Sequence, residues 1–232
     1  MSHFRDAIKR SLRQRGYELH RYPVTQYLAD YRIDTILDVG ANIGQYGQEM
    51  RALGFEGRLI SFEPIPSVYE TLKASAEADP RWETHPYALG TIAKTTTINI
   101  SGTTPSSSLL DMLPTHTDAL QASAYVGTAD IEVQRLDALY PTLCQPSDRV
   151  MLKIDTQGYT MHVLEGATGV LDQITGLEIE LSLQPLYAGE PLIEEVIAYL
   201  RERGFTPVWT CPGFKNATTQ HILNMDGYFF RT

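Results

Sequence analysis

Three acids in this sequence stand where a short apolar run breaks into a turn, and that is the position from which a carboxylate can meet a ligand. The first is Asp38 in Ile36-Leu37-Asp38-Val39-Gly40-Ala41-Asn42-Ile43-Gly44, the second Glu63 in Leu59-Ile60-Ser61-Phe62-Glu63-Pro64, and the third Asp155 in Lys153-Ile154-Asp155-Thr156-Gln157-Gly158. Gly40 and Gly44 let backbone pass close to a ligand, because a Cβ would block both the approach and a positive φ. An acid at the end of the next strand, here Glu63, can accept both hydroxyls of a ribose. Together these residues read as a nucleoside site.

The missing residues narrow the nucleoside. A dinucleotide fingerprint needs a middle glycine so that backbone can touch a pyrophosphate, and Asn42 stands there instead. No Gly-Lys-Ser/Thr loop for a triphosphate is present either. An adenosine without phosphate and with positive charge fits, with Asp38 beneath the loop. S-adenosylmethionine meets that description. The cofactor candidates are therefore Asp38, Gly40, Ala41, Asn42, Gly44, Glu63, Pro64 and Asp155, joined by Ala88 and Leu89 as an adenine wall; helix capping and turn chemistry would use some of the same residue types.

These residues need a parallel sheet to bring them to one edge, and the pattern supplies it. Strands are expected at 36–39, 58–62, 82–88, 149–154 and 177–181, alternating with helices: one over Pro23–Asp34, one capped by Ser67 with Val68, Leu72 and Ala76, one burying Val163, Leu164, Ala167 and Leu171, and one over Glu190–Arg203 ending at Gly204. Alternation in Leu177–Leu181 is expected to point one acid outward and to leave Glu180 near the strand end. Two closing strands, Phe205–Thr210 and His221–Phe230, are joined by Cys-Pro-Gly. The expected fold is α/β, a Rossmann-like, mostly parallel seven-stranded sheet with a terminal antiparallel hairpin and helices on both faces. The expected division is a helical appendage over 1–32 and one catalytic domain over 33–232. Residues 94–136 depart from the βα rhythm, with alternating runs at Lys94–Ile100 and Ala129–Leu136 around a Ser/Thr/Pro loop. Such an insertion is placed to cover the site and shape an acceptor pocket, through Ser107 and Ser108.

The chain has 232 residues and a formal charge of −9, which argues against a nucleic-acid partner. Its first 22 residues run the other way, with six basic against two acidic residues, a net +4. Phe4, Ile8 and Leu12 fall at helical spacing there. That basic amphipathic stretch would pack on the domain or on a second subunit, or lie on an anionic membrane surface or an acidic substrate. Cys144 and Cys211 lack a paired spacing, no apolar run spans a bilayer, and no signal peptide is apparent, so a soluble cytoplasmic protein is expected. No His-x-His or His-Glu-x-x-His spacing implies a metal.

In order along the chain, Asp38-Val39-Gly40-Ala41-Asn42-Ile43-Gly44, Phe62-Glu63-Pro64, Ala88-Leu89-Gly90, Ser107-Ser108-Leu109, Arg135-Leu136-Asp137, Lys153-Ile154-Asp155-Thr156-Gln157-Gly158, Val163-Leu164-Glu165-Gly166-Ala167 and Asp226 to Phe229 resemble the FkbM family of S-adenosylmethionine-dependent methyltransferases. The resemblance runs from about Thr35 to Phe230. It implies O-methylation of a hydroxyl on a sugar, glycolipid or other small-molecule natural product, and it places Gln157 and Thr160 beside the acceptor. The family's usual glutamate is replaced by Thr160, which leaves that acid's role open. An alcohol needs a base as it attacks. Asp155 is the first candidate, with Glu180 and His116 as alternatives. Methylation of another acceptor class, a protein or a nitrogen acceptor, remains as an alternative, as do a nicotinamide-dependent oxidoreductase and a cofactor-binding protein without catalysis.

Overall fold

The computed structural model describes residues 10–12, 14–15 and 23–231. Most of the basic stretch that precedes Tyr22 lies outside the described residues.

Seven strands form one sheet in the order β3-β2-β1-β7-β8-β10-β9. The central strands are β1 (Thr35–Val39), β2 (Arg58–Phe62), β7 (Val150–Ile154) and β8 (Ile174–Ser182), all parallel, with β3 (Trp82–His85) at one edge. The chain closes with β9 (Phe205–Pro212) and β10 (Asn224–Arg231), and β10 slots antiparallel between β8 and β9. β1 and β7 are buried at every position, which is why they read as continuous apolar runs rather than as alternation. One face carries Ile36, Leu59 and Met151, packed under α1 (Val24–Asp30), α2 (Gln45–Ala52) and α3 (Pro66–Ala76). The other carries Leu37, Ile60, Leu152 and Leu177 under α5 (Leu136–Leu143), α6 (Thr160–Gly166) and α7 (Ile193–Glu202). Between them in the chain lies a short α4 (Pro114–Ala119).

Register builds a polar row into the α1–α3 face. Ser61 pairs with Asp38, Asp38 with Lys153, Lys153 with Glu178 and Glu178 with Tyr228, so five polar side chains from five strands lie side by side in a buried layer. Partners in register point to the same side. The row is wired together: Trp82 Nε1 donates to Ser61 Oγ (3.0 Å), Ser61 Oγ to Asp38 Oδ2 (3.2 Å), and Lys153 Nζ to Asp38 Oδ1 (3.0 Å).

Four expectations are corrected. The expected strand 82–88 is split, because Pro86 has no N–H for a ladder; β3 stops at His85, and β4 (Ala88–Leu89) joins a second, three-stranded sheet with β5 (Lys94–Ser101) and β6 (Tyr125–Gln134). Ser67 does not cap α3, which starts at Pro66, where a fixed φ and a missing donor cost nothing. Glu190 lies ahead of α7, its carboxylate turned inward to Ser182 Oγ and the N–H groups of Leu186 and Tyr187. The closing hairpin turns through residues 213–223, with Cys211 and Pro212 still in β9.

Candidate active site

A cavity of about 350 Å³ opens at the carboxyl ends of β1, β2 and β7. At one end its wall is apolar: Val39, Phe62, Pro64, Ile65, Ala88, Leu89, Ile98 and Leu109. At the other it is charged and aromatic: Tyr46, Glu49, Lys153, Asp155, Glu178, Asp226 and Tyr228.

The loop between these ends is held by its own backbone. Gly40 and Ala41 both donate to Phe62 O (3.1 and 3.0 Å), and Gly44 donates back to Ala41 O (2.9 Å). Gly40 and Gly44 have φ of +81° and +93°. Asn42 also has a positive φ, 48°, a conformation asparagine tolerates better than most residues, and its Oδ1 accepts the next N–H, of Ile43 (2.8 Å). Glu63 is 5% exposed and clamps both sides of the cleft. Its Oε2 accepts the N–H of Asn42 (3.0 Å) and its Oε1 that of Ile65 (2.9 Å). Each oxygen keeps a second lone pair, enough for two ribose hydroxyls.

The expected site residues divide. Gly40, Ala41, Asn42, Glu63, Pro64, Ala88, Leu89, Asp155, Gln157, Ser107 and Ser108 all reach the cavity. Asp38 is fully buried behind the wall, occupied by Ser61 and Lys153, and acts on the cavity through that lysine. Gly44 shapes the loop from behind, against Leu72 and Trp82. Ser107 and Ser108 carry the insertion: Ser107 Oγ accepts Ser101 N–H (3.0 Å), while Ser108 Oγ donates to Gln157 O (2.6 Å). Thr160 is buried at the start of α6 and does not line the cavity.

His116 and Glu180, the alternative candidate bases, do not line the cavity. His116 is buried between the rings of Tyr187 and Phe214, its Nδ1 2.9 Å from Ser123 Oγ, and burial lowers its pKa. Glu180 lies behind Asp155, accepting from Gln157 Nε2 (3.1 Å) and Asn224 Nδ2 (2.5 Å). Glu178, expected to point away from Glu180, is two residues from it and so on the same face, where Tyr46 donates to its Oε2 (2.6 Å).

Lys153, Glu178, Tyr46 and Asp226 went unassigned in the sequence. The parity of Glu178 and Glu180 was a legible signal; the meeting of Lys153 with Asp38 depended on strand order.

Burial dominates the electrostatics. It pushes the Glu63 carboxyl up to about 7 against the opposing pull of two backbone N–H groups, and Glu178 likewise to about 7 against the Tyr46 hydroxyl. Asp226 is pushed to about 6 by burial and by Asp155. For Lys153 burial opposes the charge, but the carboxylates of Asp38 and Asp155 outweigh it and hold the ammonium protonated. Raised carboxyls make the folded chain bind protons that the unfolded chain has released. Their stabilising effect is complete below about pH 4 and lost as pH rises through 6 to 7. The cofactor-free protein is therefore expected to lose stability on the order of a few kcal/mol from pH 5 to 8, and so to melt at falling temperature across that range. Calorimetric melts across that range check this; a flat or rising melting temperature would refute it.

Two features fit an adenosine-type ligand with a cationic tail. The acid count in the wall exceeds the cations, and Thr156 Oγ1 in that wall is buried with no hydrogen-bond partner among the described residues. The family comparison decides the rest: residues 38–207 match the Methyltransferase FkbM domain. The chain belongs to the FkbM methyltransferase family. Its cofactor is accordingly S-adenosylmethionine.

Solved structures share the fold at low identity. The rRNA methylase of Streptococcus thermophilus is 10% identical, with a TM-score of 0.50 over 92% of this chain and 98% of that one. A putative rRNA methylase of Clostridium thermocellum is 9% identical, with a TM-score of 0.50 over 93% and 100%. This FkbM protein thus has the class I methyltransferase fold. No curated protein matches the sequence significantly. Among the described residues, no helix is long and apolar enough to cross a membrane.

Within this frame Glu63→Ala is expected to weaken S-adenosylmethionine binding by about 1–3 kcal/mol, the loss typical of a partner to buried hydroxyls. Titration calorimetry reads it directly, and an unchanged affinity would remove Glu63 as the ribose ligand.

Proposed function

We propose that this FkbM protein is an O-methyltransferase of the cytoplasm, acting on a hydroxyl of a sugar, glycolipid or other small-molecule natural product. The observation that carries the reading is Asp155: a carboxylate 41% exposed on the cavity wall, at the end of β7 beside the Gly40 loop and under the insertion. When bound, S-adenosylmethionine supplies an electrophilic methyl group. The chain supplies the proton acceptor and the alignment.

Asp155 takes the acceptor's proton as its oxygen attacks, since an alcohol is a weak nucleophile at neutral pH. Gln157 aims it. The side-chain amide donates to Asp155 Oδ1 (2.8 Å) and to Glu180 Oε2 (3.1 Å), and its Oε1 accepts from the Tyr187 hydroxyl (2.9 Å), so a flipped amide would set its oxygen against both carboxylates. Residues 94–136 are the acceptor-shaping part, contributing Ile98, Thr104, Pro105, Ser107, Ser108 and Leu109 to the wall. Ser108 ties that segment to the backbone of Gln157, so the covering loop and the base move as one unit.

A phosphate-rich acceptor is disfavoured by the same wall. Among the described residues its charged side chains are Glu49, Glu63, Asp155, Glu178 and Asp226 against Lys153 alone.

The test is to supply methyl-labelled S-adenosylmethionine with fractionated cell extract and follow the label into glycan, lipid, small-molecule, protein and RNA pools. Label in glycan, lipid or small molecules supports the reading. Label confined to RNA or protein overturns it.

A further inference from the structure

Lys153 is the only cationic side chain in the cavity wall among the described residues. It is also costly to keep there. An ammonium with a 10% exposed side chain sits in the buried polar row, held by Asp38 at 3.0 Å and more loosely by Asp155 at 3.8 Å, with its Nζ 4.9 Å from the centre of the Tyr46 ring. Burying an ion pair is weakly stabilising at best, because desolvation consumes most of the Coulombic gain. Stability alone therefore gives little reason to face a lysine into a cavity rather than close the row with an apolar side chain.

The ligand gives a reason. Resting on the S-adenosylmethionine reading, we propose that Lys153 receives the α-carboxylate of the cofactor's amino-acid end, with Glu178 and Asp226 facing its ammonium. The cavity is polarised to suit a molecule of that shape of charge. Its apolar end, with Glu63, takes a nucleoside. Its opposite end offers one cation and several carboxylates, the complement of a zwitterion.

Spacing agrees. Glu63 follows β2 and Lys153 lies on β7, with β1 between them, so the two groups are two strand intervals apart, roughly 10 Å. An extended methionine chain starting at the ribose bridges such a span across the Gly40 loop. Lys153 has three donors and Asp38 uses one, which leaves capacity for a carboxylate. The row explains how the lysine is held still: Ser61 fixes Asp38, Trp82 fixes Ser61, and Asp38 fixes the ammonium. Asp38, one residue before Val39 and the Gly loop, is then a positioning residue that acts on the cofactor through Lys153.

The test uses the full chain and three ligands by titration calorimetry: S-adenosylhomocysteine, its α-carboxamide, and 5′-methylthioadenosine, which lacks the amino-acid end. In the wild-type protein the carboxamide is expected to bind on the order of tenfold more weakly than the acid, as befits loss of one charge-assisted contact. In Lys153→Met the acid and the carboxamide are expected to bind alike, while 5′-methylthioadenosine keeps its wild-type affinity. Equal binding of acid and carboxamide to the wild type overturns the proposal, as does a Lys153→Met protein that retains the wild-type ratio.

Lys153→Met leaves Asp38 buried and unpaired, so the double variant Asp38→Asn/Lys153→Met serves where the single one does not fold. Where neither folds, the wild-type ratio decides, since no other cation among the described residues lines the wall. The cofactor reading fails separately: binding of none of the three ligands overturns it and this inference together, whereas 5′-methylthioadenosine binding with no acid preference overturns the inference alone.

Discussion

Gly40→Ala is expected to destabilise the protein by at least about 3 kcal/mol and to abolish S-adenosylmethionine binding. A Cβ at this position would lie 1.9 Å from the carbonyl oxygen of Asp155 and 2.9 Å from its carbonyl carbon. Both are backbone atoms, so no rotamer change relieves the clash. The φ of +81° adds roughly 1–2 kcal/mol for a residue with a Cβ. Relief requires the β1 and β7 ends to part, yet Asp155 N–H donates to Val39 O (3.0 Å) at that very place. The loop that meets the cofactor and the strand end that carries Asp155 would both move. Gly54→Ala is the control: its φ is +89°, but nothing lies within 4 Å of an added Cβ, so only the conformational cost of roughly 1–2 kcal/mol is expected. Denaturant titration of both variants, with calorimetry for ligand, separates clash from strain. A Gly40→Ala protein no less stable than Gly54→Ala, with normal affinity, would show that the close approach does not limit this loop.

The same contact marks what the sequence could reveal. Gly40, Glu63 and Asp155 were legible because each stands at a strand end, and a strand buried on both faces announces itself as an apolar run that ends in turn chemistry. β2 was bounded to the residue, Arg58–Phe62. Position along a strand is local information. Pairing between strands is not: Asp38 and Lys153 are 115 residues apart, and only sheet order sets them side by side. The charged half of the cavity is assembled that way, from β7, β8, β10 and α2, so its members looked like scattered polar residues.

The surroundings of His116 were hidden for a related reason. Nothing near it in sequence says that Tyr187 and Phe214 will enclose its ring. Pro86 was the opposite case, a local signal that should have ended the third strand early and did so in the fold. Glu178 and Glu180 were likewise readable, since residues two apart on a strand share a side. Glu63 and Asp155 stand at strand ends, where motif marks them; Glu178 lies inside β8, where only its parity with Glu180 marks it.

The proposed role of Asp155 carries the other large effect. Asp155→Asn is expected to lower kcat by 10²- to 10⁴-fold, the usual contribution of a positioned base, with cofactor affinity changed no more than about threefold. Asparagine preserves the shape, and its Oδ1 can still accept from Gln157 Nε2, so the loop that Ser108 ties to Gln157 keeps its place. What is lost is the capacity to take a proton. Glu180→Gln makes the contrast. Glu180 carries the same functional group on the next strand and shares the Gln157 amide with Asp155 through its Oε2. Burial and the neighbouring acids push its pKa well above the usual carboxylate range, and it does not face the cavity. A neutral Gln there is therefore expected to leave kcat within a few-fold of wild type. A single-turnover measurement supplies the reading that a merely positioning Asp155 would not move: with cofactor and acceptor both saturating, the chemical step itself slows in Asp155→Asn. A variant whose chemical step runs at the wild-type rate would reduce Asp155 to holding the acceptor or the cofactor. If instead Glu180→Gln proved the slower enzyme, the proton would have to leave by a path through Gln157, and the half-exposed carboxylate on the cavity wall would be only its orienting partner.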